Sequence, residues 1–340
     1  MSAKARIGVV GAGSLGFHHI RLLREVADVE LVGFHERRAE RAAQVAAELG
    51  VRAWDSLDAM LEAVDAITVV VPTAAHHPVA RAALERGRHV LVEKPITGTL
   101  EEADDLLAVA ARSGALLQIG HVERFNRAVR AADPYLDHPL FIESDRLAPF
   151  NARGADVAVV LDLMIHDIDL VRSLVGAHVA ELSAVGIPVL TGSVDIANAR
   201  LTFDGGTVAN ITASRVSRER MRKIRIFQRS GYLSLDLAAG SGEFYRLRPG
   251  VELGAVLPGA GGTGAPGGPL PLEAFVERIS LEANGAEPLQ LELASFAGAV
   301  LGRHPVAVSG EDGREALALA LRIVAEIERA QARLTGRNGG

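Results

Sequence analysis

Cysteine does not occur in this chain of 340 residues. Its absence excludes disulfides, thiolate zinc sites, iron–sulfur clusters and cysteine nucleophiles, and it fits a reducing compartment. Long apolar runs are lacking as well. Ile67–Val71 is typical of the longest, far short of the roughly 18 residues a membrane span needs. The N-terminus, MSAKARIGVVGAGSLG, has no apolar core followed by a small-residue cleavage site. The expectation is a cytoplasmic protein with no membrane partner. Aromatic residues are scarce at 4%, and positive charge is not in excess, with 36 Lys+Arg against 42 Asp+Glu and a net charge of -6. A globally basic nucleic-acid binder is therefore not expected. What is abundant is apolar material, 49% of residues, which excludes whole-chain disorder. At about 100–200 residues per domain, this length suggests two domains.

Up to about residue 120, two periodicities alternate. Short β-rich runs occur at Arg6–Val10, Val29–Phe34, Ala66–Val71, His89–Val92 and Leu116–Ile119, with a weaker one at Val51–Trp54. Between them, Arg38–Leu49, Leu57–Ala63, Pro78–Glu85 and Leu100–Ala111 have helical spacing, the last opened by the capping-box pair Thr99 and Glu102. This alternation predicts an α/β, doubly wound parallel sheet over residues 1–121. Farther on, Leu140–Leu147 reads as a strand and Val157–Leu174 as a helix. Strand-like runs then follow one another from Glu181 to Leu247, separated by glycine-containing turns. Strand directly after strand implies an open, mostly antiparallel sheet in an α+β domain over 122–335. The Gly/Pro-rich stretch Pro258–Pro271 is expected to be a mobile loop. Leu289–Gly302 and Glu311–Leu334 read as amphipathic helices, and 336–340 as a frayed tail.

The first strand runs into Gly11-Ala12-Gly13-Ser14-Leu15-Gly16, a GxGxxG turn followed by a helical stretch. Gly11 permits the tight turn, Gly13 lets a pyrophosphate approach the backbone, and Gly16 lets helix pack on strand. The helix start offers free N–H groups to phosphate. Glu36 stands about 20 residues farther on, at the end of the second strand, where an acid holds ribose hydroxyls. The expected cofactor is NAD, because Glu36 would repel a 2′-phosphate. The adjacent Arg37 and Arg38 leave NADP open, as they suit either a 2′-phosphate or a solvated helix start.

Two other segments look chemical. Glu93-Lys94-Pro95 ends a predicted parallel strand, at the sheet edge where ligands sit. Lys94 there is either a donor to a substrate oxygen or a surface partner of Glu93. In Asp162-Leu163-Met164-Ile165-His166-Asp167-Ile168-Asp169, helical spacing puts His166 between Asp162 and Asp169. A histidine so flanked is a credible general base, although the same pattern also makes ordinary ion pairs. The set lacks a fourth ligand, so no structural metal is predicted.

Taken together, Gly11-x-Gly13-x-x-Gly16, Pro72-x-x-x-His76, Glu93-Lys94-Pro95 and Asp162-x-x-x-His166 resemble the Gfo/Idh/MocA oxidoreductase family. The resemblance extends to Ser309-Gly310-Glu311-Asp312-Gly313, nearly the whole chain. It implies a Rossmann domain followed by an open sheet that carries substrate contacts and homo-oligomer contacts, with the C-terminal helices packing back on the first domain. It implies Lys94, Asp162 and His166 as catalytic residues, a cis Lys94–Pro95 bond, and cofactor contacts from Gly11, Gly13, Ser14, Leu15, Gly16, Glu36, Arg37, Pro72, Thr73, His76, Glu93 and Lys94. A narrower likeness lies in Gly120-His121-Val122-Glu123-Arg124-Phe125-Asn126, Arg146-Leu147-Ala148-Pro149-Phe150 and Leu163–Asp167. These look like the branch that includes UDP-N-acetylglucosamine 3-dehydrogenases, and they imply substrate contacts from His121, Arg124, Asn126, Arg146 and Asp169. The implied reaction is NAD-dependent oxidation of a sugar or nucleotide-sugar hydroxyl to a ketone. A free-sugar or cyclitol dehydrogenase and a non-catalytic nicotinamide-binding sensor remain the alternatives.

One cluster has no assigned role. Arg215, Arg218, Arg220, Arg222, Lys223 and Arg225 include only Glu219 as an acid. Arg218, Arg220 and Arg222 would share one strand face, to hold a diphosphate or uronate or to face solvent or another subunit. His18, His19, His35, His77, His138, His178 and His304 show no partner pattern and are read as structural.

Overall fold

A computed structural model describes residues 3–151, 157–251, 272–282 and 285–337. Five apolar runs form one parallel sheet: β1 (Ala5–Val10), β2 (Val29–His35), β3 (Ala66–Val69), β4 (His89–Glu93) and β5 (Leu117–Gly120). Their order is β2-β1-β3-β4-β5, so the winding reverses beside β1. The connecting helices α1 (Ser14–Leu23), α2 (Ala39–Leu49), α3 (Leu57–Ala63), α4 (His76–Leu84) and α5 (Leu100–Ser113) cover both faces. Strands β3 and β5 are buried along their whole length, as expected for a sheet covered on both sides. The Thr99–Glu102 capping box closes in both directions at the start of α5. The weak run Val51–Trp54 does not become a strand and makes only a single bridge, Ala53 with Phe34.

The second sheet has eight strands: β6 (Phe141–Leu147), β7 (Val179–Ile187), β8 (Ile196–Phe203), β9 (Val208–Ser214), β10 (Met221–Gln228), β11 (Gly231–Asp236), β12 (Ser241–Leu247) and β13 (Val276–Glu282). Its order is β13-β12-β11-β10-β6-β9-β8-β7. Every pairing is antiparallel except β6 with β9. One face packs on α6 (Arg127–Ala132) and α7 (Ile165–Val175). Strand β13 was not expected, because Val276, Ile279 and Leu281 are out of phase with simple alternation; only Leu281 of the three is buried. The expected loop Pro258–Pro271 lies outside the described residues, as does the chain beyond Arg337.

Two C-terminal helices join the sheets. Leu293, Phe296 and Ala297 of α8 (Pro288–Val300) enter the core of the parallel sheet beside α1. In α9 (Gly310–Arg337), Leu317 packs against the parallel-sheet core, whereas Ala316, Leu319, Ala320, Ile323 and Ile327 enter the core of the second sheet. The start of α9 lies directly on β5: a Cβ on Gly313 would sit 2.4 Å from the Ile119 side chain. The two sheets are therefore held in fixed relation, and the carboxyl edge of the first meets α7 of the second.

Candidate active site

The carboxyl ends of β1, β3, β4 and β5 bring the sequence motifs to one edge. After β1, Gly11 adopts φ 95°, and a Cβ there would lie 2.3 Å from the Val70 carbonyl oxygen. A Cβ on Gly16 would lie 2.1 Å from the Gly11 oxygen. Gly13 differs, since a Cβ there would meet nothing within 4 Å. The turn is closed by packing at its two ends and open at Gly13, where a pyrophosphate has to approach. Among the described residues no side chain caps α1, and no acid occupies its first turn, so its N–H groups remain available to an anion. Glu36, at the tip of β2, accepts from the Ala12 N–H at 2.9 Å and from Arg38 Nε at 3.0 Å. The Arg38 hydrogen bond and these backbone donors outweigh partial burial and lower its pKa to about 2. These residues fit a dinucleotide. Arg37 and Pro72 are exposed, and Thr73 is half-buried at the end of β3.

At the end of β4 the Lys94–Pro95 bond is cis. His76 clamps this turn, with Nδ1 2.8 Å from the Pro95 carbonyl and Nε2 2.9 Å from the Val71 carbonyl. Its ring is buried with both nitrogens at backbone carbonyls, so it positions the turn. Glu93 likewise turns inward. Its Oε1 lies 3.1 Å from His19 Nε2, and Gly120 is required opposite, where a Cβ would fall 2.9 Å from the same oxygen. His19, read as merely structural, is therefore part of the support beneath Lys94.

The segment carrying Asp162 and His166 is not one regular helix. Val160–Met164 is wound as a π turn, and α7 begins only at Ile165. Such turns recur at functional sites. The Lys94 amine donates to the Asp162 backbone carbonyl at 2.6 Å and lies 3.7 Å from the Asp162 carboxylate. In a regular α-helix that carbonyl serves the N–H four residues on. The change of winding corrects the expectation that two carboxylates flank His166. Asp162 faces Lys94, and Asp169 is bound elsewhere. The His166 ring instead meets the His121 ring edge-on, with centroids 6.5 Å apart. Its Nδ1 is buried without a hydrogen-bond partner among the described residues. Burial, then the cations Lys94 and Arg146, push the His166 pKa well below its ordinary value. Burial also lowers the Lys94 pKa, against the pull of Asp162 and Glu93.

The five residues expected to touch substrate belong to a largely buried polar frame. Arg124 grips Asp169 through two bonds of 2.8 and 2.5 Å and reaches Asp312 at the start of α9. Arg146 is held by Asp167 at 2.5 Å and by Glu123 at 2.9 Å, while Ser144 also donates to Asp167 at 2.9 Å. Asn126 caps α6 and donates to Glu123. His121 is only 1% exposed. Arg124, Asn126, Arg146 and Asp169 thus find partners within the frame, as buried polar groups must, and fix α7 against β5 and β6, whereas both ring nitrogens of His121 have no hydrogen-bond partner among the described residues. Sequence reasoning gave no role to Glu123, Asp167, Ser144 or Glu292. Glu292, on α8, is fully buried with both oxygens unpartnered among the described residues. Among the described residues no group of three His, Asp or Glu side chains could hold a metal ion.

The arginine cluster disperses. Arg215 is buried and pairs with Asp195 at 3.0 Å, and Arg225 pairs with Glu143 at 2.9 Å on the outer sheet face. Arg218 and Arg220 lie in the bend before β10, so they do not continue its alternation. Arg222 points to the inner face, in register with Arg146.

Residues 5–121 match a family described as oxidoreductases with an NAD-binding Rossmann fold, and residues 118–234 match the Gfo/Idh/MocA C-terminal domain. Over 324 residues the chain is 38% identical to a UDP-N-acetylglucosamine 3-dehydrogenase of Acidithiobacillus ferrooxidans, spanning 95% of this chain and 97% of that one. A solved structure of a UDP-N-acetylglucosamine 3-dehydrogenase from the same organism aligns with a TM-score of 0.84 at 36% identity, over 96% of this chain and 99% of that one. A scyllo-inositol 2-dehydrogenase (NAD(+)) of Bacillus subtilis is 31% identical over 236 residues, which is 64% of this chain and 69% of that protein.

Proposed function

The chain belongs to the Gfo/Idh/MocA oxidoreductase family, and from that premise we propose that it oxidises the 3-hydroxyl of UDP-N-acetylglucosamine to a ketone. The observation that carries this reading is the meeting of Lys94 and the Asp162–His166 segment at the edge bearing the Gly11–Gly16 turn, in a chain so widely identical to an enzyme of that name. Gly11, Gly13, Ser14, Leu15, Gly16 and Glu36 would hold NAD, with Arg37, Pro72 and Thr73 beside them. When bound, NAD supplies the hydride acceptor.

The protein's own residues then manage the proton and the charge. His166, kept neutral by burial and by neighbouring cations, takes the hydroxyl proton as the C–H hydrogen leaves with its electron pair. Nδ1 is buried, so Nε2 is the atom that receives it. Lys94 donates to the same oxygen and stabilises the charge that develops there. Asp162 holds the amine in place through its carbonyl and carboxylate. Positioned acid–base help of this kind contributes about 10²–10⁴-fold. The Arg124–Asp169 and Arg146–Asp167 pairs position α7, and with it His166.

Copies of the chain associate through the outer face of the second sheet. Phe141, Phe227, Tyr232 and Tyr245 stack there ring on ring, 4.8 to 5.6 Å apart, and Val185 and Ile187 stand 54% and 55% exposed. No helix among the described residues is long and apolar enough to cross a membrane.

The deciding experiment mixes purified protein with NAD and a panel of UDP-N-acetylglucosamine, free N-acetylglucosamine and inositols, read as NADH absorbance. Turnover of the UDP-sugar well above the others is expected. Faster turnover of an inositol would overturn the substrate assignment.

A further inference from the structure

The nucleotide sugar of the preceding reading carries a diphosphate, and the residues described so far provide nothing to hold it. Lys94 is committed to Asp162 and the reacting oxygen. Arg146 is consumed by Asp167 and Glu123. The helix start at Gly13 serves the dinucleotide. Arg222 stands apart from all of these. On β10 it lies opposite Arg146 on β6 and faces the same way, yet its side chain is 42% exposed where that of Arg146 is 4%. Its nearest acid, Glu123, is 3.8 Å away, and both oxygens of that acid already accept shorter bonds from Arg146 and Asn126.

Arg222 is close enough to the site for its charge to depress the His166 pKa. Its own pKa is lowered, first by burial and then by Arg146, against the pull of Glu123 and Asp167. With both Glu123 oxygens taken by Arg146 and Asn126, the half-exposed guanidinium keeps donors for a ligand on the inner face of the second sheet. Arg220, exposed in the bend just before β10, places a second positive charge beside it. A planar guanidinium with free donors is suited to binding a phosphate through two bonds.

We propose that Arg222, assisted by Arg220, binds the diphosphate of the nucleotide-sugar substrate and so sets the preference for a sugar nucleotide over a free sugar. The inference rests on the nucleotide-sugar reading. It adds a specificity residue on β10, distinct from the Lys94–His166 chemistry.

UDP, which carries the diphosphate but no sugar to oxidise, is the probe, with uridine as its phosphate-free control. Wild-type protein should bind UDP well above uridine in calorimetry, in the presence of NAD. Arg222→Gln should weaken UDP about 10- to 100-fold, the worth of a hydrogen bond to a charged group. It should raise KM for UDP-N-acetylglucosamine by a similar factor while leaving kcat and NAD affinity nearly unchanged. Arg222→Lys, which keeps the charge but not the fork, should recover part of the loss and guards against a folding defect in the Gln variant. If wild type turns over the UDP-sugar but Arg222→Gln leaves UDP affinity and KM unchanged, this inference alone is overturned. If wild type neither binds UDP nor turns over the UDP-sugar, the substrate reading falls as well.

Discussion

Glu292 offers a test of the buried frame that does not depend on knowing the substrate. Its carboxyl is fully buried on α8, which packs against α1 and the turn Val122–Phe125. Burial first, and then the charges of Glu93 and Asp169, raise its pKa well above the ordinary 4.5. Glu93 lies against His19 and Asp169 is held by Arg124, and neither Glu292 oxygen has a hydrogen-bond partner among the described residues. The folded protein therefore holds this proton more tightly than the unfolded chain does. Its contribution to stability is fully present below about pH 4.5 and is lost as pH rises toward the folded-state pKa. The loss is about 1.4 kcal/mol per pH unit in that window. Glu292→Gln keeps the shape and the polar group but cannot ionise, so it escapes the loss. With roughly 2.1 cal/mol/K of unfolding entropy per residue, 1 kcal/mol moves Tm by about 1.4 °C in a chain this long. Near about pH 4.5 the two proteins should melt at nearly the same temperature; above it the variant should gain about 2 °C for each pH unit. Other titrating groups are common to both proteins and cancel in the difference. Differential scanning calorimetry from about pH 5 to about pH 8 reads the gap directly. A gap that stays constant over that range would show that Glu292 ionises as easily folded as unfolded, and the reasoning would be refuted.

The other expectations concern the site itself. Lys94→Ala and His166→Ala should each lower kcat about 10²–10⁴-fold with little change in NAD affinity; near-normal turnover in the His166 variant would defeat the base assignment. Because burial and cations depress the His166 pKa, the acid limb of the kcat/KM profile should lie below 6.5, and a limb at or above that value would contradict a base in this environment. Glu36→Ala should narrow the preference for NAD over NADP, and wild-type kcat/KM favouring NADP would remove Glu36 from the ribose site. Asp167→Asn leaves Arg146 buried without its closest acid and should cost about 3–5 kcal/mol in denaturant unfolding. A loss below about 1 kcal/mol would show the pair to be incidental.

Local pattern was enough for most elements, though not for β13 or the π turn at Val160–Met164. The βαβ alternation, the Thr99–Glu102 box and the GxGxxG turn each encode their geometry in a few adjacent residues, and the structure places them where the sequence does. The position of Glu36 at the tip of β2 was legible for the same reason, because the chain between Gly16 and that tip has a nearly fixed length. The edge carrying Lys94 also followed from topology, since a parallel sheet gathers its carboxyl ends.

What escaped the sequence depends on groups far apart along the chain. Spacing placed His166 between two aspartates, but the π turn at Val160–Met164 shifted the phase, and Asp162 went to Lys94. Asp169 was lost to Arg124, 45 residues earlier. A buried charge takes whichever opposite charge the tertiary packing brings within reach, so a motif of polar residues fixes the inventory without fixing the pairs. His121, Arg124, Asn126, Arg146 and Asp169 look like ligand groups in sequence; packing made them a frame that spans β5, β6, α7 and α9. The same packing left Arg222 half-exposed on the inner face of the second sheet and Glu292 without a hydrogen-bond partner among the described residues. The sequence by itself determined the two sheets, the dinucleotide turn and the family. Only the tertiary structure decided which polar groups satisfy one another and which remain free for a ligand, because that choice depends on distances that no local pattern contains.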